Sequence, residues 1–534
     1  MQPFGLSCQG GLNTNLNQFQ MLQQPGFATE LLNFEVDPDG GYRRVNGFTP
    51  YGGDSATNPN GSNTVLGCFV YADGLIVCSG TDIFFSNDGI TWLQINRSSV
   101  ANGGDNYSTF TSRSVLTRTG QGQCQFVHFE GAAFDYGQVV IADGANTLYV
   151  FRMEGTGALS TRTFFAETVQ VDSTNGVKYI TIHDHHLIAA GVENNLNTVY
   201  YSAYNSPTDF TGTGAGSVTI SDQVIGIKGF REDLIVFSQH SLHKLININS
   251  SADIRIDPIA ENVGCLSGYS IQEIGGDLVF LAPDGIRTVA GTARIGDTEL
   301  SSVSRQIQSI ISDIANNINS YTITSCVIRS KSQYRLFYSK PIETPAAAKG
   351  IIGTFKGQSY EWSETQGIQA FGLVSGYDVN FVERVYHGDK DGYIYNHDTG
   401  NSFLLNGSTQ NINARYKTPN LDFGDAGTLK TLHYVKMSIT PEGIVQPSLK
   451  VSYDFDSTDK AQPAAYVLES ILTPSIFGEA LFGSGLFGAS SDPMVRQAVQ
   501  GSGHNVAFKL FSEDKNPPYS INGFYIDYRP SGRR

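Results

Sequence analysis

The interior of the chain repeats one pattern. An apolar run is followed by a turn rich in Gly, Asp or Asn, and then by a second run carrying aromatics. Leu75-Ile76-Val77-Cys78 leads to Ile83-Phe84-Phe85, and Asn87-Asp88-Gly89 turns into Thr91-Trp92-Leu93. Val139-Val140-Ile141 turns at Asp143-Gly144 into Leu148-Tyr149-Val150, and Leu187-Ile188-Ala189 reaches Val199-Tyr200-Tyr201 through a longer loop. Leu234 to Phe237, Leu278 to Leu281, Tyr334 to Tyr338 and Val385 to His387 begin four more such pairs. Asp-Gly between alternating apolar residues is a strong local hairpin signal. Seven hairpins lie between about 65 and 400, about 45 to 55 residues apart, near the length of a four-stranded blade. The spacing predicts a β-propeller of about seven divergent blades over 61–404, although six or eight fit nearly as well.

Two stretches break the pattern. From Glu299 to Ile314, Leu300, Val303, Ile307, Ile310, Ile311 and Ile314 recur at three- and four-residue steps, which predicts an inserted amphipathic helix capped by Asp297 or Thr298. Beyond about 405 the strands lengthen. Leu449, Val451, Tyr453 and Phe455 share one face, as do Val506, Phe508 and Leu510. With Leu432–Met437 and Ile521–Tyr528 they predict a C-terminal β-sandwich over 405–534. Within it an arm (470–490) repeats Phe-Gly every five residues at Phe477, Phe482 and Phe487. That period suits neither helix nor strand, so an extended arm is expected. Its aromatics are the interface or gate candidates. Two readings are open: packing on the same chain or a neighbouring subunit, and a tip loop that meets a host envelope.

Composition agrees with an all-β chain. Among 534 residues, 40% are hydrophobic and only 16% charged, with 58 Gly, 26 Tyr and 32 Phe. The formal net charge is −15, and no block of Lys or Arg occurs. Tight nucleic-acid binding, which depends on basic residues neutralising phosphates, is not expected. Six cysteines (Cys8, Cys68, Cys78, Cys124, Cys265, Cys326) lie without CxxC spacing, so reduced, buried thiols are expected rather than a zinc site or disulfide framework. The opening Met1-Gln2-Pro3-Phe4-Gly5 has no basic n-region, and no apolar run approaches a membrane span.

Candidate chemistry is sparse. Ser86-Asn87-Asp88-Gly89-Ile90-Thr91-Trp92 is close to the Asp-box of sialidases, one residue short between Asp and Thr. The expectation is a turn in which Asp88 accepts backbone hydrogen bonds and Trp92 packs between blades. His183-Asp184-His185-His186 is the densest imidazole cluster, read as a polar turn against a metal site. Glu35-Val36-Asp37-Pro38-Asp39-Gly40 and Asp389-Lys390-Asp391-Gly392 resemble incomplete calcium loops and are read as Asp-Gly turns. No pair of facing carboxylates stands out, so no catalytic residue, cofactor or metal is expected and the chain is not read as an enzyme.

Three places carry a family resemblance. Gly10-Gly11-Leu12, Ala28, Leu32-Asn33-Phe34 and Gly41-Tyr42-Arg43-Arg44-Val45-Asn46-Gly47-Phe48 resemble the start of the tail nozzle proteins (tail tubular protein B) of short-tailed bacteriophages. Tail hub proteins that plug packaged DNA open similarly. Val199–Phe210 and Val263-Gly264-Cys265-Leu266-Ser267-Gly268 with Gly275-Gly276-Asp277-Leu278 are similar to recurrent stretches of phage propeller subunits. Pro518–Tyr528 resembles the ending of the same proteins. The family's Arg-Pro-Gly or Arg-Pro-Pro is Arg44-Val45-Asn46-Gly47 here. The resemblance implies a structural virion protein, assembled in the host cytoplasm as a ring, commonly a homohexamer. The ring would lie between the head-tail adaptor and the tail fibre or tail-tip proteins, with phage DNA passing through its channel without specific binding. The N-terminal segment (1–60) is expected to dock on a neighbour or on the adaptor. The alternative is a carbohydrate-binding or glycan-degrading propeller at the tail tip.

Overall fold

The computed structural model describes residues 2–533 except 39, 99–102, 121, 131–134, 174–175, 250–252, 291–301, 358, 406 and 472–493. It is an all-β chain, a propeller joined to a β-sandwich. The helices among the described residues are Gln18–Leu22, Tyr107–Ser112 and Gln308–Asn316, with several single 3-10 turns.

Each blade is an antiparallel meander that starts at the axis. The innermost strands of the blades are Val65–Tyr71, Gln125–Phe129, Tyr179–His183, Val224–Phe230, Thr322–Ile328 and Gly372–Tyr377. A three-stranded sheet (Gln272–Ile274, Asp277–Ala282, Gly285–Thr288) fills the sector before Thr322. Among the described residues complete four-stranded blades therefore number six, against the about seven expected. The seventh hairpin is present, and the described residues beyond it add one bridge, Arg287 to Ser302, and one bond from Val303 N–H to the Ile286 carbonyl.

The apolar runs are continuous because each blade is covered on both faces. Successive side chains of a strand point to opposite faces, so alternate residues serve alternate interfaces. Ile76 and Cys78 pack towards the second blade while Leu75 and Val77 pack towards the last. Val139 and Ile141 join the first cluster, and Val140 and Ala142 join the third blade. Leu234 and Val236 face backwards, and Ile235 and Phe237 forwards.

The helix differs from its sequence pattern. A 3-10 turn at Arg305–Ile307 leads to Gln308–Asn316, with Ile307, Ile311 and Ile314 buried. Ahead of that turn Ser302 bridges Arg287 and Val303 N–H donates to the Ile286 carbonyl. Asp297, Thr298 and Leu300 lie outside the described residues.

Strands far apart in sequence close the ring and build the sandwich. Phe48–Pro50 pairs with Ile394–His397 and completes the last blade, so the chain's beginning latches the ring. One sandwich sheet joins Phe34–Val36, Tyr42–Arg44, Tyr519–Arg533, Thr428–Pro441 and Met494–Ala498, with Gln2–Ser7 also on Tyr519–Arg533. The other runs through Glu30–Leu32, Ile412–Lys417, Val506–Asp514, Ser448–Tyr453 and Tyr466–Val467. A parallel bridge from Leu32 to Glu364 makes it continuous with a propeller blade, giving one nine-stranded sheet. Much of the first fifty residues is thus packed inside the chain, with Leu6, Leu12, Ala28 and Leu31 buried. Leu449, Val451 and Tyr453 are buried as a face, but Phe455 is 61% exposed, because the strand ends at Tyr453 and turns.

Candidate functional site

The turn motifs resolve into structure. Asp88 Oδ1 accepts the Ile90 and Thr91 N–H groups at 2.8 Å each, and the Ser86 hydroxyl holds the same carboxylate. Trp92 packs edge-on to Tyr51, its indole N–H donating to the Thr57 carbonyl. The Asp-box is a folding element of its blade. Asp184 and His185 form a left-handed two-residue turn between Tyr179–His183 and His186–Val192, which matches the twist of a tight hairpin. His186 is buried with its ring nitrogens on the Ser202 carbonyl and Asn249 Oδ1. Asp389 accepts the N–H groups of Asp391 and Tyr393 and the Tyr395 hydroxyl, and burial pushes its carboxyl up to about 6. Among the described residues no cluster of three or more His, Cys, Asp or Glu has metal-binding geometry. All six cysteines are free, and five are buried. Phe477, Phe482 and Phe487 lie outside the described residues.

Glu35 precedes the expected Asp-Gly turn, which closes between Asp37 and Gly41, and has a role beyond it. It is 3% exposed and sits where propeller and sandwich meet, occupied by three cations. Arg43 Nη1 donates to Oε1 at 2.8 Å, Lys331 Nζ to Oε1 at 2.9 Å and Arg335 Nη2 to Oε2 at 2.8 Å. Asp398 joins from the last blade, 2.6 Å from Lys331 Nζ. Burial works against the Arg335 guanidinium, yet Asp398 and Glu35 outweigh it and hold its pKa above the ordinary value. Burial likewise opposes the Asp398 carboxylate, but Arg335 and Lys331 keep its pKa below the usual range.

The same guanidinium fixes two histidine tautomers. Arg335 can only donate, so His397 Nε2, 3.0 Å away, is an acceptor and the His397 proton is on Nδ1. That proton points at His387 Nδ1, 3.1 Å away, which leaves His387 protonated on Nε2. Burial pushes His387 down to about 3 and, with the charges of His387, Arg335 and Lys331, holds His397 well below its ordinary value. Both rings are neutral at neutral pH.

A second site lies on the propeller axis. A cavity of about 330 Å³ is lined from every inner strand, by Phe69, Gln125, Thr181, Lys228, Gln272 and Cys326 among others. Among its lining residues Tyr269 donates to the Gln123 carbonyl at 2.7 Å and the Gln123 amide to the Ile323 carbonyl at 2.8 Å. Lys228 and Arg329 also line it. Sequence reasoning passed over both, although one signal was present. Lys228 is a lone cation in the apolar strand Val224-Ile225-Gly226-Ile227-Lys228-Gly229-Phe230.

No family model and no curated protein matches this sequence. Several solved propeller structures align over much of it at low identity. BBS1N, crystallised in complex with ARL6DN, is 7% identical, covering 68% of this chain and all of that one, with a TM-score of 0.39. The WD40 domain of Neurospora crassa Pan2 is 6% identical over 67% of this chain and 96% of its own, at 0.34. An exo-β-1,3-galactanase from Phanerochaete chrysosporium is 9% identical over 91% and 100%, at 0.26. Likenesses of this quality carry no information about activity.

Proposed function

We propose that this chain is a structural subunit of a short-tailed phage tail, a nozzle or hub protein that forms a ring around the DNA ejection channel. The observation that carries the reading is where the resembling residues stand. Gly11 N–H donates to the Tyr42 hydroxyl, and that hydroxyl donates to the Gly26 carbonyl, both at 3.0 Å. Arg43 binds Glu35 and Glu442, and buried Arg44 reaches the Asp514 carbonyl at 2.8 Å. Gly47 crosses Ser402 so closely that a Cβ would lie 1.9 Å from its carbonyl oxygen. Phe48 then enters the strand that latches the ring. The C-terminal resemblance falls on Tyr519–Arg533, which pairs with Thr428–Pro441, Gln2–Ser7 and Tyr42–Arg44. The N-terminal stretch that resembles nozzle proteins thus links propeller to sandwich, and the C-terminal one is a central strand of a sandwich sheet. A stiff, two-domain acidic subunit suits a load-bearing ring.

In this reading the work is mechanical and electrostatic. An axial cavity of about 330 Å³ has no room for a duplex whose major groove alone is about 12 Å wide. The DNA channel would therefore lie between subunits, where like charge keeps phosphates from adsorbing. Ring closure needs a heterologous contact repeated around an axis. The hairpin tip of the last blade supplies exposed apolar side chains for one, with Phe381 87% exposed and Val379 52%. The test is the oligomeric state of the purified protein by mass photometry and negative-stain imaging, alone and with an adaptor ring. A ring with an axial hole, lost in Phe381→Ser without loss of fold, is expected. A persistent monomer that releases sugars from host polysaccharide would replace this reading with the glycan-degrading one.

A further inference from the structure

The axial cavity holds two cations that the fold does not neutralise. Lys228 projects from Val224–Phe230, and among the described residues its ammonium has no hydrogen-bond or ion-pair partner. Arg329 immediately follows Thr322–Ile328, and its guanidinium lies over the Tyr377 ring, 5.8 Å from the centroid. The acidic groups nearby do not close the account. Glu273 acts on Lys228 from beyond ion-pair distance, while Arg329 repels it. Glu383 is taken up by the backbone N–H groups of Arg329 and Ser330, at 2.8 and 3.0 Å, and by the Ser375 hydroxyl at 2.9 Å. Burial pushes the Cys326 thiol up to about 12, so it supplies no anion at neutral pH. Burial, with Arg329 adding to it, lowers the Lys228 pKa, a cost that a bound anion would reverse.

In a chain of net charge −15, a half-buried lysine and an exposed arginine that line one polar cavity without an ion-pair partner among the described residues are out of keeping with the rest of the molecule. We propose that the axial pocket binds an oxyanion carried by a small molecule, gripped between Lys228 and Arg329. Phosphate and carboxylate share the required chemistry, a compact set of acceptor oxygens for charged donors. The surroundings also offer room for a ring. A neighbouring recess of about 480 Å³ shares Phe69, Val374 and Ser375 with the axial pocket and is bordered by Tyr71, Tyr136 and Tyr377. A sugar bearing the anion would find aromatic surfaces there. The site is independent of the ring-subunit reading, because a ring needs no ligand in each propeller.

The experiment is calorimetric titration of the full-length protein with inorganic phosphate and, separately, with glucuronate, at low ionic strength. Saturable one-to-one binding of at least one of them is expected. Lys228→Gln and Arg329→Gln should each weaken it about tenfold or more, as loss of one charge-assisted bond implies. Lys450→Gln, remote in the sandwich, should leave it unchanged. Phosphate binding alone points to a phosphorylated ligand, and glucuronate binding alone to an acidic sugar. Both variants remove an unpaired cation, so folding should survive, with circular dichroism as the check. If one variant does not fold, the other decides. Absence of binding by both probes, or equal affinity in the pocket variants and Lys450→Gln, would overturn the proposal. Neither result bears on ring formation, which imaging reads separately.

Discussion

Arg335 and Lys228 are both basic residues inside the propeller, and the chain treats them in opposite ways. Arg335 is 1% exposed and surrounded by Glu35, Asp398, Gln333 and His397. Lys228 lines a cavity, and among the described residues its ammonium has no hydrogen-bond or ion-pair partner. At the junction, geometry satisfies the guanidinium from three separate parts of the chain. On the axis, the strand edges of the propeller leave a space that no side chain fills. The contrast separates a charge that specifies how two domains meet from one left available to something else.

Arg335→Met should have the largest effect. It leaves Glu35 and Asp398 short of a buried partner, a loss of about 3–5 kcal/mol, seen as a lower midpoint in urea unfolding. Acid should act on the same junction. His387 has a folded pKa lowered to about 3 against an ordinary 6.5, so its contribution is complete above pH 6.5 and is lost as pH falls towards 3. His397 shifts in the same direction. His387 by itself predicts a stability loss of about 3 kcal/mol between pH 6.5 and 4, and His397 adds to it in the same direction. In His387→Gln the acid limb of midpoint against pH should flatten. Lys228→Met should move the other way, raising stability by about 1 kcal/mol at most after solvent screening, because it removes a desolvated, unpaired ammonium. If Lys228→Met destabilised the protein as Arg335→Met does, the contrast between the two sites would be wrong. Asp88→Ala offers a local yardstick, losing two turn hydrogen bonds for about 1 kcal/mol in the first blade without altering junction or pocket.

Much of the propeller was legible because its hairpins are local. Asp143-Gly144 and Asp391-Gly392 turn where their residue types demand, and the Asp-box does what its spacing implies. The sector at 272–288 shifted the count because a hairpin signal reports two strands and says nothing of a fourth, which the described residues there do not contain. Glu35 was legible only as the start of an Asp-Gly turn, which forms between Asp37 and Gly41. Nothing local announces the three cations of Arg43, Lys331 and Arg335. Those cations lie 8, 296 and 300 residues away.

By itself the sequence determined the strands, their turns and the two-faced burial of each blade, since these follow from a period of two and from the conformations that Gly, Asp and Asn tolerate. Only the tertiary structure decided which distant strands meet. Leu32 beside Glu364, Phe48 beside His397 and Arg44 beneath Asp514 are pairings that no periodicity encodes. They arise because an open ring and a half-built sandwich each expose strand edges whose N–H and C=O groups must be paired. The first fifty residues are the segment long enough and apolar enough to pair both. The axial pocket is the remainder of that closure, a space defined by every inner strand at once and visible only when the ring is shut.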